Sequence, residues 1–411
     1  MLVYWIWLTL CKGMGDRMRL QLLQRFQTPE AIYAAKSADF EQVEGLSAGG
    51  RKSLLERDLA PARKILEDCA EKKVQILTFS DPAYPRRLKN IPDPPLVLYY
   101  KGTLPAFDEF PMIGLVGTRR ASDYGLHIAA QLGGQISRCG GIVVSGMAEG
   151  IDCEAMTGAL HADGIAVGVL GCGADMIYPL SAKELYRAVE TKGCILSEFP
   201  PGTPPVKWNF PKRNRIISGL SCGVLVVEAP EKSGALITAR EALEQGRDVF
   251  VVPGNINSPT CAGSNRLLRE GAAVVTCGWD VMEEYLGFFP DKIRRAEALP
   301  ADRVQKTGYD PQPKERKNPP QMGKKKSVQK DFGKKAIDKA ASSPYSDVNT
   351  AIPALSAEEE KIVLCLKDGE RLVDDVVAET GLTTGKVLAA LTMLELKGVL
   401  KRLDGRRIAL K

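Results

Sequence analysis

Two histidines in 411 residues are too few for the common zinc constellations, and the ten cysteines are scattered singly with no C-x-x-C spacing. That pattern implies unbridged core thiols in a reducing, cytoplasmic compartment. Long apolar runs are also missing. The opening MLVYWIWLTLC is too short to span a bilayer, lacks a preceding basic region and runs directly into KGMGDRMR, so it reads as a buried first helix. No G-x-x-x-x-G-K-[ST] element occurs, and no G-x-G-x-x-G leads to an acidic ribose anchor, which removes the main support for P-loop ATP chemistry and for NAD. Neither a metal nor a cofactor is expected.

Net positive charge is confined to one segment. The formal net charge is +6, and residues 291–350 alone carry fifteen lysines and arginines against eight carboxylates, so the remainder nets −1. An anion-binding surface in the folded parts must therefore come from local clustering, not from an overall field.

The chain reads as four parts. Residues 1–70 are short helices with a helix-hairpin-helix turn at Gly13-Met14-Gly15 and a weaker one near Leu46. Glycines in such turns let backbone N–H groups approach a phosphate, although plain helix packing explains them as well. Residues 71–290 alternate near-continuous Val/Ile/Leu strands (MIGLVG, IVVS, GIAVGVL, CILSE, GVLVVEA, DVFVVPG) with helices, the signature of a parallel sheet covered on both faces. Residues 291–350 form a basic linker without periodicity, expected to be disordered. Residues 351–411 give three helical segments and two strands around an Asp-Gly turn, a winged-helix pattern. Its third helix opens Thr383, Thr384, Gly385, Lys386 and then turns apolar, which leaves partner docking and DNA contact through Arg402, Arg406 and Arg407 both open.

Ligands of doubly wound sheets bind outside the carboxyl ends of the strands. The loops there are Gly117-Thr118-Arg119-Arg120-Ala121-Ser122, Gly146 to Asp152, and Gly171-Cys172-Gly173. Small residues at helix starts expose N–H donors to an anion, Arg119 adds a five-donor guanidinium, and Ser122 can cap the next helix. A fourth loop is denser. Prolines 200, 201, 204 and 205 stiffen the approach to KWNFPKRNRIISG, in which Lys207, Trp208 and Phe210 precede Lys212, Arg213, Asn214 and Arg215. Aromatics interleaved with cations suit single-stranded nucleic acid, because bases stack on rings while Lys and Arg hold phosphates. With a helix starting near Pro211 the basic residues do not share one face, and Arg213 or Arg215 is expected to pair with Glu198 or Glu228. Glu149, Asp152, Glu198 and Glu228 could instead activate water in a nucleotide hydrolase. His127 and His161, however, lack a serine or cysteine partner at any recognisable spacing.

The segments VGTRRASDYG, SGMAEGIDCEAMTGAL, GVLGCGADMIYP, ILSEFPPGTPP, FPKRNRIISGLS, VLVVEAPEKSGALITAREALEQGRDVFVVPG and GSNRLLREGA closely resemble the DprA/Smf family of DNA-processing proteins, in family order across the whole sheet domain. The resemblance implies an extended Rossmann-like doubly wound domain between an N-terminal helical (SAM/helix-hairpin-helix-like) domain and a C-terminal winged helix. It implies a cytoplasmic, non-catalytic homodimer, paired through the sheet domain, that binds and protects incoming single-stranded DNA in natural transformation. Such a protein loads RecA, displacing or working around single-strand-binding protein. Carried over residue by residue, the phosphate loop is Gly117, Thr118 and Arg119, the Lys-x-x-Phe element is Lys207 and Phe210, and the Arg-Asn-Arg element is Arg213, Asn214 and Arg215. Gly146, Ser122 and Lys212 complete the expected DNA site. One departure is Met156, where the family usually has histidine. Alternatives are a nucleotide-processing hydrolase of related fold and a protein adaptor acting through the winged helix.

Overall fold

A computed structural model describes residues 1–295 and, between 356 and 410, all but 367–368, 370, 383–385, 388–389, 392, 395–398 and 404–406. The basic linker lies outside the described residues apart from its first five. The chain divides into two compact units, Met1–Arg316 and Lys317–Lys411.

The first unit opens with six helices: α1 (Leu2–Leu10), α2 (Asp16–Phe26), α3 (Pro29–Ala34), α4 (Ser37–Glu41), α5 (Ala48–Glu56) and α6 (Ala60–Glu71). The apolar start of the chain is α1, with Trp5, Ile6, Trp7 and Leu8 buried. Ile6 and Leu8 have no exposed surface, and each such burial stabilises by about 1.5–3 kcal/mol. Their core continues through Leu22, Ile32, Phe40 and Leu54 into Val97 and Tyr99 of the sheet, so the helices cap one end of the sheet with shared hydrophobic contacts.

Nine strands follow: β1 (Gln75–Thr78), β2 (Val97–Gly102), β3 (Met112–Val116), β4 (Ile142–Ser145), β5 (Ala166–Leu170), β6 (Cys194–Ser197), β7 (Gly223–Val226), β8 (Asp248–Val251) and β9 (Ala273–Val274). Their spatial order is β1-β2-β6-β5-β4-β3-β7-β8-β9. From β6 to β9 all neighbours are parallel, whereas β2 runs antiparallel to β6 and β1 antiparallel to β2. The continuous-parallel expectation is corrected at that edge. The proline-rich link between β1 and β2 contains only the four-residue helix α7 (Arg86–Lys89), too little for the crossover a parallel pair needs.

The crossovers are α8 (Asp123–Arg138), α9 (Ile151–His161), α10 (Lys183–Lys192), α11 (Asn209–Leu220), α12 (Gly234–Glu244) and α13 (Ala262–Arg269), followed by α14 (Gly278–Met282). Residues of α8, α9 and α10 pack on one sheet face with Ile113, Leu115 and Val143, while α11 and α12 pack on the other with Met112, Val116 and Val144. The central strands thus feed two cores, and a two-sided burial demands an unbroken apolar run instead of alternation. Helices α8 and α9 approach closely through glycines: a Cβ on Gly158 would lie 1.9 Å from the Ala130 carbonyl oxygen, and one on Gly133 2.0 Å from that of Ala155.

The second unit contains α15 (Ala357–Cys365), β10 (Arg371–Leu372), α16 (Val373–Thr380), helical residues between Lys386 and Leu394, then β11 (Leu400–Leu403) and β12 (Arg407–Leu410) in the order β10-β12-β11. The S-x-x-E pattern closes a capping box: Ser356 Oγ accepts from the Glu359 N–H at 3.2 Å, and Glu359 Oε2 accepts from the Ser356 N–H at 2.7 Å. Ile362, Val376, Val387, Leu391, Leu400 and Ile408 form its core, giving a winged-helix-like arrangement.

Candidate nucleic-acid interface

The order of strand addition reverses between the parallel neighbours β3 and β7: β4, β5 and β6 extend to one side of β3, and β7, β8 and β9 to the other. At the carboxyl ends of these strands lies a cleft of about 550 Å³, lined by the loops after β3 and β7 and by the entry to α11.

Its floor is a buried, internally satisfied charge pair. Arg213, only 3% exposed, donates from Nη1 to the Gly146 carbonyl at 2.7 Å and to that of Val169, and from Nε to Asn214 Oδ1 at 3.2 Å. Asn214 in turn donates to the Gly234 carbonyl at 3.3 Å, joining α11 to the start of α12. Asp152 is the facing carboxylate. Burial raises its pKa, opposed by Arg213 and by the N–H groups of Ala148, Gly146 and Gly117. Burial likewise lowers the pKa of Arg213, opposed by Asp152. Gly146 is required at this spot, since a Cβ would sit 2.4 Å from the Arg213 guanidinium.

Above the floor stands the Phe210 ring, with Arg119 5.1 Å from its centroid, Arg213 at 6.0 Å and the Tyr178 ring at 5.7 Å. Around it Arg119, Arg120, Lys207 and Lys232 are exposed. Among the described residues none of the four makes an ion pair. An aromatic face bordered by uncompensated cations can hold a base and its phosphates.

Of the residues singled out from the sequence, Gly117, Thr118, Arg119, Lys207, Phe210, Arg213 and Asn214 line the cleft together. The other three lie outside the lining. Ser122 caps α8, accepting from the Gly125 N–H at 3.0 Å, and its hydroxyl donates to Glu228 Oε1 at 2.5 Å. Gly146 sits behind Arg213. Lys212 points outward, 3.5 Å from Glu198 Oε2. The Thr118 hydroxyl accepts from the Arg120 N–H at 3.2 Å, so it shapes the loop as well as facing the cleft. Helix α11 begins at Asn209, two residues before the expected Pro211. The expected internal pairing falls to Arg215, 2.7 Å from Glu198, while Glu228 takes Ser122.

Lys232 and Ser233 escaped the sequence reading, although they follow β7 and the strand-end rule applied to GVLVVEA leads to them; Ser233 caps α12 by accepting from the Ala235 N–H. Glu149 accepts from Ser181 Oγ at 2.9 Å, and of the four carboxylates considered for water activation only Asp152 lines the cleft. Neither His127 nor His161 lines it, and among the described residues no cluster of three or more His, Cys, Asp or Glu could hold a metal. Met156 is fully buried in the core beside Gly168 and Met147. The Gly13 turn packs on Gly50, where a Cβ would be 2.8 Å from its backbone nitrogen. The side chains of Arg402, Arg406 and Arg407 lie outside the described residues. Among the described residues no helix is long and apolar enough to cross a membrane.

Residues 75–286 match the profile of DNA recombination-mediator protein A, and residues 347–406 match the DprA winged helix domain. The chain is 35% identical to Protein Smf of Synechocystis over 410 residues, covering 98% of this chain and 97% of that one. It belongs to the DprA/Smf family. DNA processing protein DprA of Bacillus subtilis is 41% identical over 239 residues, 58% of this chain and 80% of the relative. The X-ray structure of DprA from Streptococcus pneumoniae superposes with a TM-score of 0.62 at 34% identity, covering 69% of this chain and 98% of that one. The matched profile describes a family of DNA recombination mediators. The four carboxylates considered for water activation all have partners: Glu149 accepts from Ser181, Asp152 from the Gly146 N–H, Glu198 pairs with Arg215 and Glu228 accepts from Ser122.

Proposed function

We propose that this DprA/Smf chain binds single-stranded DNA in the cleft between the ends of β3 and β7, without covalent chemistry. One observation carries the reading: the Phe210 ring stands among four exposed cations that have no ion-pair partner among the described residues. A base on the ring and phosphates on Arg119, Lys207 and Lys232 fit this arrangement, and stacking on the ring needs an unpaired base. The DNA-binding part is the segment 71–290. By family kinship the bound strand is passed to RecA in recombination during natural transformation, in the cytoplasm and in competition with single-strand-binding protein. Pairing of two chains through their sheet domains would join two clefts into one longer track and raise the effective concentration of the second site.

The test is a salt-varied titration of single-stranded against duplex DNA with the full chain and with the Lys207→Ala/Phe210→Ala variant. Removing one phosphate ligand lowers the slope of log K against log salt by about 0.7 for a single strand, and removing a stacked ring costs about 1–3 kcal/mol. Equal single-strand affinity in the two proteins at every salt concentration refutes the site. Release of base or phosphate from nucleoside monophosphates at high protein concentration would favour the hydrolase reading instead.

A further inference from the structure

Trp208 is 77% exposed, at the residue capping α11, and has no ring or cation partner among the described residues. Trp5 and Trp7 are buried and Trp279 is half-buried under Arg295. A solvent-facing indole offers a large flat face suited to stacking. One turn along the same side of the helix stands Lys212, with Nζ 3.5 Å from Glu198 Oε2 and 5.7 Å from the Phe199 ring centroid. Glu198 is held more closely by Arg215, at 2.7 Å, and the Lys212 side chain stays half-exposed, so its ammonium can reach a ligand. The start of α11 therefore sets an aromatic and a cation on each side: Phe210 and Lys207 line the cleft, and Trp208 and Lys212 lie outside it.

We propose that Trp208 and Lys212 form a second base-and-phosphate site, continuous with the cleft, that holds the nucleotide adjoining the one on Phe210. Two neighbouring residues on opposite sides of a helix start let consecutive bases splay apart while the intervening phosphates cross the cationic ridge. The proposal rests on the single-strand reading of the cleft.

The experiment titrates the full chain with an oligothymidylate of about twelve nucleotides, following tryptophan emission and anisotropy, with Trp208→Ala, Trp208→Phe, Lys212→Ala and the Lys207→Ala/Phe210→Ala variant in parallel. Expected are quenching of wild-type emission that is abolished in Trp208→Phe, roughly tenfold weaker binding in Trp208→Ala, and recovery to within about threefold in Trp208→Phe. Lys212→Ala lowers the salt slope by about 0.7. Trp208→Ala binding within twofold of wild type, while the cleft variant still loses affinity, overturns this site and leaves the cleft standing. Failure of the wild-type chain to bind the oligonucleotide overturns both. Loss of RecA capture by Trp208→Ala with unchanged DNA affinity overturns the proposal in favour of a protein contact.

Discussion

Replacing Arg215 by methionine tests how α11, the helix beside the cleft, is anchored. Arg215 is 6% exposed; its Nη2 lies 2.7 Å from Glu198 Oε2 and 3.3 Å from Asp16 Oδ2, and its Nε 3.5 Å from Asp93 Oδ2. Asp16 is also held by Arg19 at 2.5 Å, and Glu198 by Lys212 at 3.5 Å. Three carboxylates thus face three cations, and the central one links α2 of the N-terminal helices to α11 of the sheet domain. Arg215→Met keeps apolar volume but leaves Glu198 buried with only a half-exposed lysine. Breaking such a buried pair costs about 3–5 kcal/mol. At about 2.1 cal/mol/K of unfolding entropy per residue, the 295 described residues of the first unit give roughly 0.6 kcal/mol/K, so its melting point should fall by about 5–8 °C. The assay is thermal and urea unfolding of the full chain, extended to Glu198→Gln and the double variant. The double should be more stable than the two single variants predict, by about 1 kcal/mol or more, because a neutral amide in place of the Glu198 carboxylate needs no counter-charge. A fall of less than about 1 kcal/mol for Arg215→Met, or strict additivity, refutes the anchoring role.

Gly158→Ala should force α8 and α9 apart and lower unfolding stability by about 2–3 kcal/mol; adding Gly133→Ala should cost less than its single effect, since one separation admits both methyls. Gly146→Ala should push the Arg213 guanidinium off the Gly146 and Val169 carbonyls, seen as weaker single-strand binding together with a lower melting point. Asp280 is pulled down to about 2: burial alone would raise it, but the N–H groups of Thr276 and Cys277 and the Thr276 hydroxyl overcome that. A depressed folded pKa stabilises above the unfolded value of 3.8 and that contribution is lost as pH falls towards about 2. Asp280→Asn should therefore be less stable than wild type at neutral pH, by no more than about 1 kcal/mol after solvent screening, with the gap closing below about pH 4; a gap independent of pH refutes the assignment.

The strand series and the loops that line the cleft were legible because both depend on local rules, unbroken apolar runs for a two-sided sheet and small residues where a strand meets a helix. The antiparallel β1–β2 edge was not, since VQILTF and LVLYYKG carry the same apolar content whichever way they run, and only the short α7 in their link decides it. Lys207 and Phe210 stood out as a cation and a ring at close spacing. The roles of Gly146 and Ser122 did not, because glycine after a strand and serine before a helix look alike whether they touch a ligand, make room for Arg213 or bind Glu228. The Arg215–Asp16 contact joins residues 199 positions apart, and no periodicity encodes such a pair.

The geometry of α11 explains how one short basic run can serve several ends at once. At about 100° per residue, Trp208 and Lys212 share an outward side, and Phe210 and Arg213, three apart, share the cleft side. Asn214 is turned towards Gly234, and Arg215 towards the N-terminal helices. Of the cations Lys207, Lys212, Arg213 and Arg215, the two arginines are consequently buried: Arg213 is bonded to carbonyls and faced by Asp152, and Arg215 is paired with carboxylates. This reconciles a folded chain of near-neutral charge with a cationic site. The buried members fix the helix against the sheet and its neighbours, and that fixed frame lets Lys207 remain exposed beside Phe210 with no ion-pair partner among the described residues, as the proposed phosphate contact requires.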